Sequence, residues 1–282
     1  MSLYTRGNDV FNVNPITGVD EVLSVHGSDF LWAVTAIYVA AFICLLILSF
    51  AAKESERVFH YLFTFVLLLG GITYYAQASN LGWSAVTQVN HLSNGITRQI
   101  FYAKYINWAL AFPSLALALG LISGVSWTTI ICNIAIAAYW VLSYLAAAYT
   151  PGSNYKWGFF AFGTLAWLVL AMSTVNESHE AAARLGIGRD YRILSAWLNV
   201  LWMLYPVAFG LSDGGNVIGV TGGAVFFGVL DILSVPVLGF VLLGFARRWD
   251  YRVLSIAFSD ARPSREGEGF VKESGPVVAS VA

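Results

Sequence analysis

Charged residues are scarce in this sequence, and their scarcity excludes most soluble proteins. Asp, Glu, Lys and Arg make up 11% of the 282 residues, whereas hydrophobic residues make up 58%. A soluble domain carries about 25% charged residues. The chain has too few charged side chains to cover a water-facing surface, so we predict that lipid is its main solvent. The net charge of −1, with no basic face, argues against a nucleic-acid partner.

Cysteine and histidine are also sparse, and neither forms a pattern that binds metal or catalyses a reaction. Cys44 and Cys132 lie in separate apolar runs, where isolated thiols act as small packing residues. The sequence has no CxxC motif and no Cys/His cluster, so no metal site is predicted. The four histidines are scattered without a Ser-His-Asp grouping, and Gly186-Ile187-Gly188 lacks the third glycine of a nucleotide loop. We therefore predict that the protein is not an enzyme.

Long apolar runs are what the sequence has in abundance. Seven of them are near the roughly 20 residues that cross a bilayer. Lipid cannot satisfy open backbone groups, so runs of this length are expected to be helices. We place the spans at about 29–52, 57–79, 98–121, 126–148, 155–174, 190–212 and 217–246. The Glu177–Leu185 stretch is expected to extend the fifth helix. The prediction is an all-α membrane protein built as a seven-transmembrane-helix bundle.

The polar segments outside these spans indicate how the chain is oriented. One side of the membrane holds the first-to-second and fifth-to-sixth connections and the C-terminal tail, and it carries 11 Lys and Arg residues against 3 on the other side. The positive-inside rule then predicts an extracellular segment at 1–27, a transmembrane domain at 28–250 and a disordered cytoplasmic tail at 251–282. The N-terminus is thus expected outside, without a cleavable signal peptide, and the C-terminus in the cytoplasm.

Several polar side chains are predicted at membrane depth, where they need partners. Asp231 lies in the middle of the seventh span, and an acid in such a place is costly. Lys104 lies about two turns into the third span, with Asn107 three residues further on. We predict that Lys104 and Asp231 form a buried ion pair inside the bundle. The alternative, strongest for the aromatic residues nearby, is that these groups only pack and anchor the helices.

Three short strings together resemble the microbial rhodopsin family. Residues 201–207 (LWMLYPV) are similar to its retinal-pocket motif Trp-x-x-Tyr-Pro, and residues 102–108 (YAKYINW) to its counterion segment. Leu230-Asp231 resembles the Leu-Asp of the family's seventh helix. The resemblance covers about residues 28–250 and implies a bundle of the microbial rhodopsin type. It also implies a retinal-pocket-like site formed by Tyr74, Trp108, Trp202, Tyr205, Pro206 and Asp231.

The departures from the family pattern fall on the residues that carry its photochemistry. Val235 occupies the position of the lysine that forms the retinal Schiff base, and valine has no amine. The other matched positions hold Asn107 for the proton acceptor, Ala118 for the proton donor, Lys104 for the arginine gate, and Asp213 with Gly223 for the release pair. The resemblance therefore implies no covalent retinal cofactor and disfavours a light-driven pump.

The remaining lysines offer no substitute amine for a Schiff base. Lys104 lies on the wrong helix, whereas Lys53, Lys156 and Lys272 are expected outside the core. A chain that keeps the helices but lacks this amine resembles the fungal opsin-related proteins without a retinal lysine, a group that includes small plasma-membrane heat-shock proteins.

This narrower resemblance implies a stress-related, multi-pass plasma-membrane protein. Its expected partners are the lipid bilayer and membrane proteins such as the proton ATPase, which it would modulate or stabilise. Two alternatives stay open: a sensor that binds a retinal-like ligand without a covalent bond, and an ion pathway. The sequence leaves the oligomeric state open, a homo-oligomer included.

Overall fold

Seven long helices make up most of the protein. The computed structural model describes residues 8–52, 57–88, 97–151 and 154–251. Within these residues, seven helices are long and apolar enough to cross a membrane. The predicted all-α bundle is therefore confirmed.

The helix boundaries lie within a few residues of most predicted spans. The helices are α1 (Val10–Val13), α2 (Val25–Ala51), α3 (Arg57–Ala78), α4 (Tyr102–Ser123), α5 (Trp127–Tyr149), α6 (Tyr155–Met172), α7 (Ser178–Arg184), α8 (Gly188–Phe209), α9 (Val220–Ile232) and α10 (Leu238–Ala246). Three π-helical turns, at Ser173–Glu177, Gly210–Gly214 and Leu233–Val237, lie within the fifth, sixth and seventh spans. The fifth span runs without a break from Tyr155 to Arg184, as predicted for its extension.

Polar residues and one glycine define several helix ends. The Ser24 hydroxyl accepts a hydrogen bond from the Gly27 N–H at 3.1 Å and caps α2. Ser126 caps α5 in the same way. These caps satisfy N–H groups that have no partner within the helix. Gly124 ends α4 with φ of +70°, a left-handed conformation that favours glycine.

A β-hairpin replaces the start of the predicted third span. Strand β1 (Trp83–Thr87) pairs in antiparallel fashion with β2 (Thr97–Phe101), and Ser84 lies opposite Ile100. The prediction of a helix from about 98 was wrong for residues 98–101. Apolarity alone cannot distinguish a short strand from the beginning of a helix. Consequently α4 begins at Tyr102, and Lys104 lies in its first turn.

The N-terminal segment packs on this hairpin instead of standing apart from the bundle. The Glu21 N–H donates to the Thr97 carbonyl and the Gln99 N–H donates to the Glu21 carbonyl, both at 2.9 Å. The Leu23 N–H donates to the Gln99 side chain at 2.8 Å. The hairpin and this segment together cover the end of the bundle where α4 begins. The predicted tail lies outside the described residues except for Tyr251.

Close contact between α2 and α3 depends on a glycine. The Tyr38 ring of α2 packs directly on Gly70 of α3, where a Cβ atom would overlap it. The Tyr38 hydroxyl also donates to the Asp231 carbonyl at 3.0 Å, so the ring is held at both ends. Small residues let membrane helices approach in this way.

We expect Gly70→Ala to lower the free energy of unfolding by about 1–3 kcal/mol, because the added methyl group overpacks the site. Gly71→Ala is the matched control, since its Cβ would meet Val39 only at 3.4 Å. Equilibrium unfolding in detergent measures both variants. Equal stability of the two would contradict this account of the α2–α3 contact.

Candidate functional site

Asp231 lies at the centre of a ring of neutral hydrogen-bond donors. The hydroxyls of Tyr74 and Tyr205 donate to its two carboxyl oxygens, each at 2.5 Å. The Trp108 indole N–H lies 2.9 and 3.0 Å from the same oxygens. The Asn107 amide makes a longer contact of 3.4 Å. Since the Asp231 residue is only 1% exposed, these donors replace the water that would otherwise solvate its carboxyl group.

Aromatic rings fill the space next to Asp231. The Phe112 ring centroid lies 4.9 Å from those of Trp140 and Tyr205, 5.9 Å from that of Trp202 and 6.1 Å from that of Trp108. Such distances place the rings in direct contact. Of the predicted pocket residues, Tyr74, Trp108 and Tyr205 donate to Asp231, whereas the Trp202 ring packs on Phe112 and Trp140.

The aromatic cluster also contains an unpaired polar atom. The Trp202 indole nitrogen is buried and has no hydrogen-bond partner in the part of the chain that the structure describes. Most buried polar groups are hydrogen-bonded, so an orphaned donor of this kind calls for an explanation. Pro206, in the same helix, is buried as well.

Val235 lies in the π-helical turn that follows α9. The residue is 2% exposed and packs in the core. Pro236 lies in the same turn and has no N–H to donate, which weakens the regular helical hydrogen bonding there. The side chain at this position is therefore enclosed by the bundle and offers only methyl groups. Ala118, at the predicted donor position, is likewise buried in α4.

The predicted ion pair between Lys104 and Asp231 was wrong. Lys104 forms its salt bridge with Asp213, in the π-helical turn after α8. The Tyr105 hydroxyl donates to the same Asp213 oxygen at 2.7 Å. The error follows from the third span, because Lys104 is in the first turn of α4 and not two turns inside it. At that depth it lies beside the end of α8.

Arg98, in strand β2, also lies next to Asp213. Asp213, Lys104 and Arg98 form a second buried site. The Arg98 Nε lies 3.8 Å from Asp213 Oδ1, and its Nη1 donates to Asn216 at 2.6 Å and to the Ile218 carbonyl at 2.7 Å. Glu21 approaches the same Nη1 at 3.5 Å. Burial lowers the pKa of the Arg98 guanidinium, against the opposing attraction of Asp213 and Glu21. A guanidinium is basic enough to stay charged throughout.

Lys156 completes the second site and contradicts its predicted position outside the core. The residue is 0% exposed, and its ammonium group donates to Gln88 at 3.1 Å, the Asp213 carbonyl at 3.1 Å and the Gly214 carbonyl at 3.4 Å. From the sequence, Lys156 is expected outside the core, and Arg98 counts with it among the three Lys and Arg residues of the extracellular side, because each lies at the end of a predicted span. The signal in the sequence that could have indicated burial of these two residues is their position directly beside a long apolar run.

Comparison with known proteins decides the family. The sequence model described as bacteriorhodopsin-like protein matches residues 27–248. The chain belongs to this family. The opsin-like protein carO of Fusarium fujikuroi is 36% identical over 268 residues, which cover 92% of this chain and 87% of that protein. The 30 kDa heat shock protein of Saccharomyces cerevisiae is 32% identical, covering 82% of this chain and 76% of that protein.

A solved structure supports the same assignment. The light-driven proton pump LR (Mac) from Leptosphaeria maculans matches with a TM-score of 0.77 and 29% identity, covering 81% of this chain and 99% of that one. The predicted resemblance to fungal members of the microbial rhodopsin family is thus confirmed. In this bacteriorhodopsin-like chain, Asp231 and Asp213 form two separate buried sites, one held by neutral donors and the other by cations.

A double-mutant cycle should show which carboxylate Lys104 pairs with. We expect Lys104→Met and Asp213→Asn to couple by about 0.5–3 kcal/mol, because each single change leaves a buried charge without its partner. Lys104→Met and Asp231→Asn should couple more weakly, because Lys104 forms its salt bridge with Asp213. The measurement is the free energy of unfolding of the single and double variants. Stronger coupling to Asp231 would restore the pairing predicted from sequence.

The tyrosine donors to Asp231 should each contribute to stability. We expect Tyr74→Phe and Tyr205→Phe to cost about 1.5–3 kcal/mol each, since each removes a hydrogen bond to a buried carboxyl group. The matched control is Tyr75→Phe, because Tyr75 is 53% exposed and its loss should stay within about 0.5 kcal/mol. Unfolding in detergent compares the three. If Tyr74→Phe were no worse than Tyr75→Phe, the ring of donors would not stabilise the fold.

Proposed function

We propose that the chain is a stress-related protein of the plasma membrane that binds or stabilises other membrane proteins, the proton ATPase first among them. It would do so without a covalently bound retinal. The observation that carries this proposal is the enclosed valine at position 235, where the family resemblance places the Schiff-base lysine. Without an amine at that point, the imine on which the pigment chemistry depends has no place to form.

The site around Asp231 supports a structural role over a role in proton transfer. Both carboxyl oxygens are already engaged by Tyr74, Tyr205 and Trp108. The matched acceptor and donor positions hold an amide, Asn107, and a methyl group, Ala118, neither of which takes up a proton. A pump needs a series of groups that titrate in turn. This chain therefore shares its architecture with the light-driven pump from Leptosphaeria maculans, but it has no titratable side chain at these two positions.

The stress-related part of the proposal draws on the relatives. One similar protein is named a 30 kDa heat shock protein. A seven-span protein whose interior is filled by its own side chains interacts with its surroundings through its lipid-facing surface. The fifth span has the least buried surface of the seven, with 22% of its apolar window inside the fold against 67% for the third. Its exposed residues include Phe162 and Met172, and a membrane partner would have most access there.

Deletion of the gene in its host tests this function. We expect the deletion strain to grow less well after heat or acid stress and to show altered proton-ATPase activity in plasma-membrane vesicles. Wild-type protein should restore both equally in light and in darkness, because the proposed action needs no photochemistry. Val235→Lys is the variant to compare with the wild type in this rescue, because it differs only in placing an amine at the buried position. The proposal fails if deletion changes neither property, or if rescue requires light.

A second candidate, non-covalent binding of a retinal-like ligand, is favoured by one observation. The buried Trp202 indole N–H lacks a partner among the described residues, and a flat apolar ligand would have to take the place of aromatic rings that now pack around it. All-trans retinal added to purified protein would give a visible band or induced circular dichroism if it binds. Borohydride treatment should leave no retinal attached to the wild type. An unchanged spectrum excludes retinal as the ligand, and covalent retention would overturn the proposed absence of a Schiff base.

A further inference from the structure

A groove in the lipid-facing surface lies between α2 and α3. Its volume is about 240 Å³, and its wall includes Val39 and Phe42 from α2 and Gly71 and Ile72 from α3. The side chains of Val39 and Ile72 are exposed, so the groove opens towards lipid and not towards the interior of the bundle. Neither buried carboxylate contributes to its wall. The groove is therefore separate from the sites around Asp231 and Asp213.

Small residues form the floor of the groove. Among the described residues, a Cβ atom at Gly71 would meet only Val39, at 3.4 Å, and Tyr38, at 4.0 Å, so the space above the glycine is open. Thr35 turns its hydroxyl towards its own helix and donates to the Leu31 carbonyl at 2.8 Å. The accessible surface of the groove is consequently apolar throughout. An occupant is therefore held by its shape and by the burial of apolar surface.

Two aromatic residues with polar tips mark one end of the groove. Tyr75 lines it and is 53% exposed, and its ring meets that of Trp32 edge-on, with the centroids 5.4 Å apart. Tyr75 precedes the end of α3 at Ala78 by about 5 Å along the helix axis. Trp and Tyr in such positions lie at the level of the lipid headgroups. The groove therefore runs from the membrane surface, at the end of the bundle that the hairpin covers, into the hydrocarbon.

The length of the groove favours a short, rigid occupant over an acyl chain. Along α3 the groove extends from Tyr75 to Leu67, which is about 12 Å of helix. Half of the hydrocarbon core of a bilayer is about 15 Å thick. An extended acyl chain would continue past the inner end of the groove, and ordering it would cost rotational freedom along its whole length. A rigid molecule loses little conformational freedom on binding.

We propose that this groove binds one sterol molecule from the membrane leaflet at the hairpin end. A sterol is a rigid, flat, apolar molecule with a single hydroxyl at one end, and the groove has the matching polarity. The fused rings pack on Gly71 and Thr35, and the sterol hydroxyl meets the hydroxyl of Tyr75 at the membrane surface. This inference does not depend on the proposed cellular function, because sterol binding is measured on the purified protein.

Two glycines in membrane-spanning helices provide a matched pair of variants. Gly71→Leu places a branched side chain in the open space of the groove. Gly244→Leu adds the same side chain to α10, where a Cβ atom would meet nothing within 4 Å in the described part of the chain, and Gly244 does not line the groove. A third variant, Tyr75→Phe, keeps the ring at the end of the groove and removes only the hydroxyl.

The test is photo-crosslinking of the purified full chain, in phosphatidylcholine nanodiscs, to a sterol that carries a diazirine, with the labelled residues identified by mass spectrometry. We expect the wild type and Gly244→Leu to be labelled at the residues of the groove, and unlabelled sterol to compete with the probe. Gly71→Leu should lose this labelling. Tyr75→Phe should need about 2–10-fold more probe for half-maximal labelling, because one hydrogen bond is lost.

A phosphatidylcholine probe with a diazirine in its acyl chain distinguishes a sterol from an ordinary lipid. If this probe labels the groove of the wild type and excess unlabelled sterol does not displace it, an acyl chain occupies the groove and the proposal is overturned. Crosslinks that join two copies of the chain across this face, or sterol labelling spread evenly over all lipid-facing helices, overturn it as well. These measurements use the wild type, so they decide the question even if Gly71→Leu cannot be purified.

Discussion

The cost of placing charge in hydrocarbon is the constraint on which the rest of this structure depends. Two carboxylates lie inside the bundle, and each is compensated in a different way. Asp231 is surrounded by hydroxyl, indole and amide donors, all of them uncharged. Asp213 is surrounded by Arg98 and Lys104, with Lys156 on its backbone carbonyl. The helices are positioned so that each acid meets its own type of partner.

Much of this arrangement could be predicted from the residues. The low charge content and the seven apolar runs predicted the bundle, because lipid leaves an unpaired backbone few alternatives to the helix. The resemblance to the microbial rhodopsin family implied that Tyr74, Trp108, Tyr205 and Asp231 share one site, and these side chains do lie together. The bundle thus follows from solvent and helical spacing, whereas the composition of this site follows from the resemblance.

The partner of Lys104 could not be predicted in the same way. Pairing depends on the depth of each side chain along its helix, and an error of four residues in a helix start moves a group by more than one turn. Residues 98–101 were predicted as helix but belong to strand β2, and β2 pairs with β1 (Trp83–Thr87), which lies earlier in the chain. Lys156 was misplaced for a related reason. Its acceptors are mostly backbone carbonyls, which every residue has and which leave no mark in the sequence.

The separation of the Asp213 site along the chain has a consequence for synthesis. Tyr105, beside Lys104, is 108 residues from Asp213. At about 5–20 residues per second, the third span is made several seconds before the acid that neutralises its lysine. Until then Lys104 has to extend its ammonium group to the lipid headgroups, as lysines near helix ends do. Lys104 therefore meets its buried partner only after the sixth span has been made, so the charge of the third span is compensated late in synthesis.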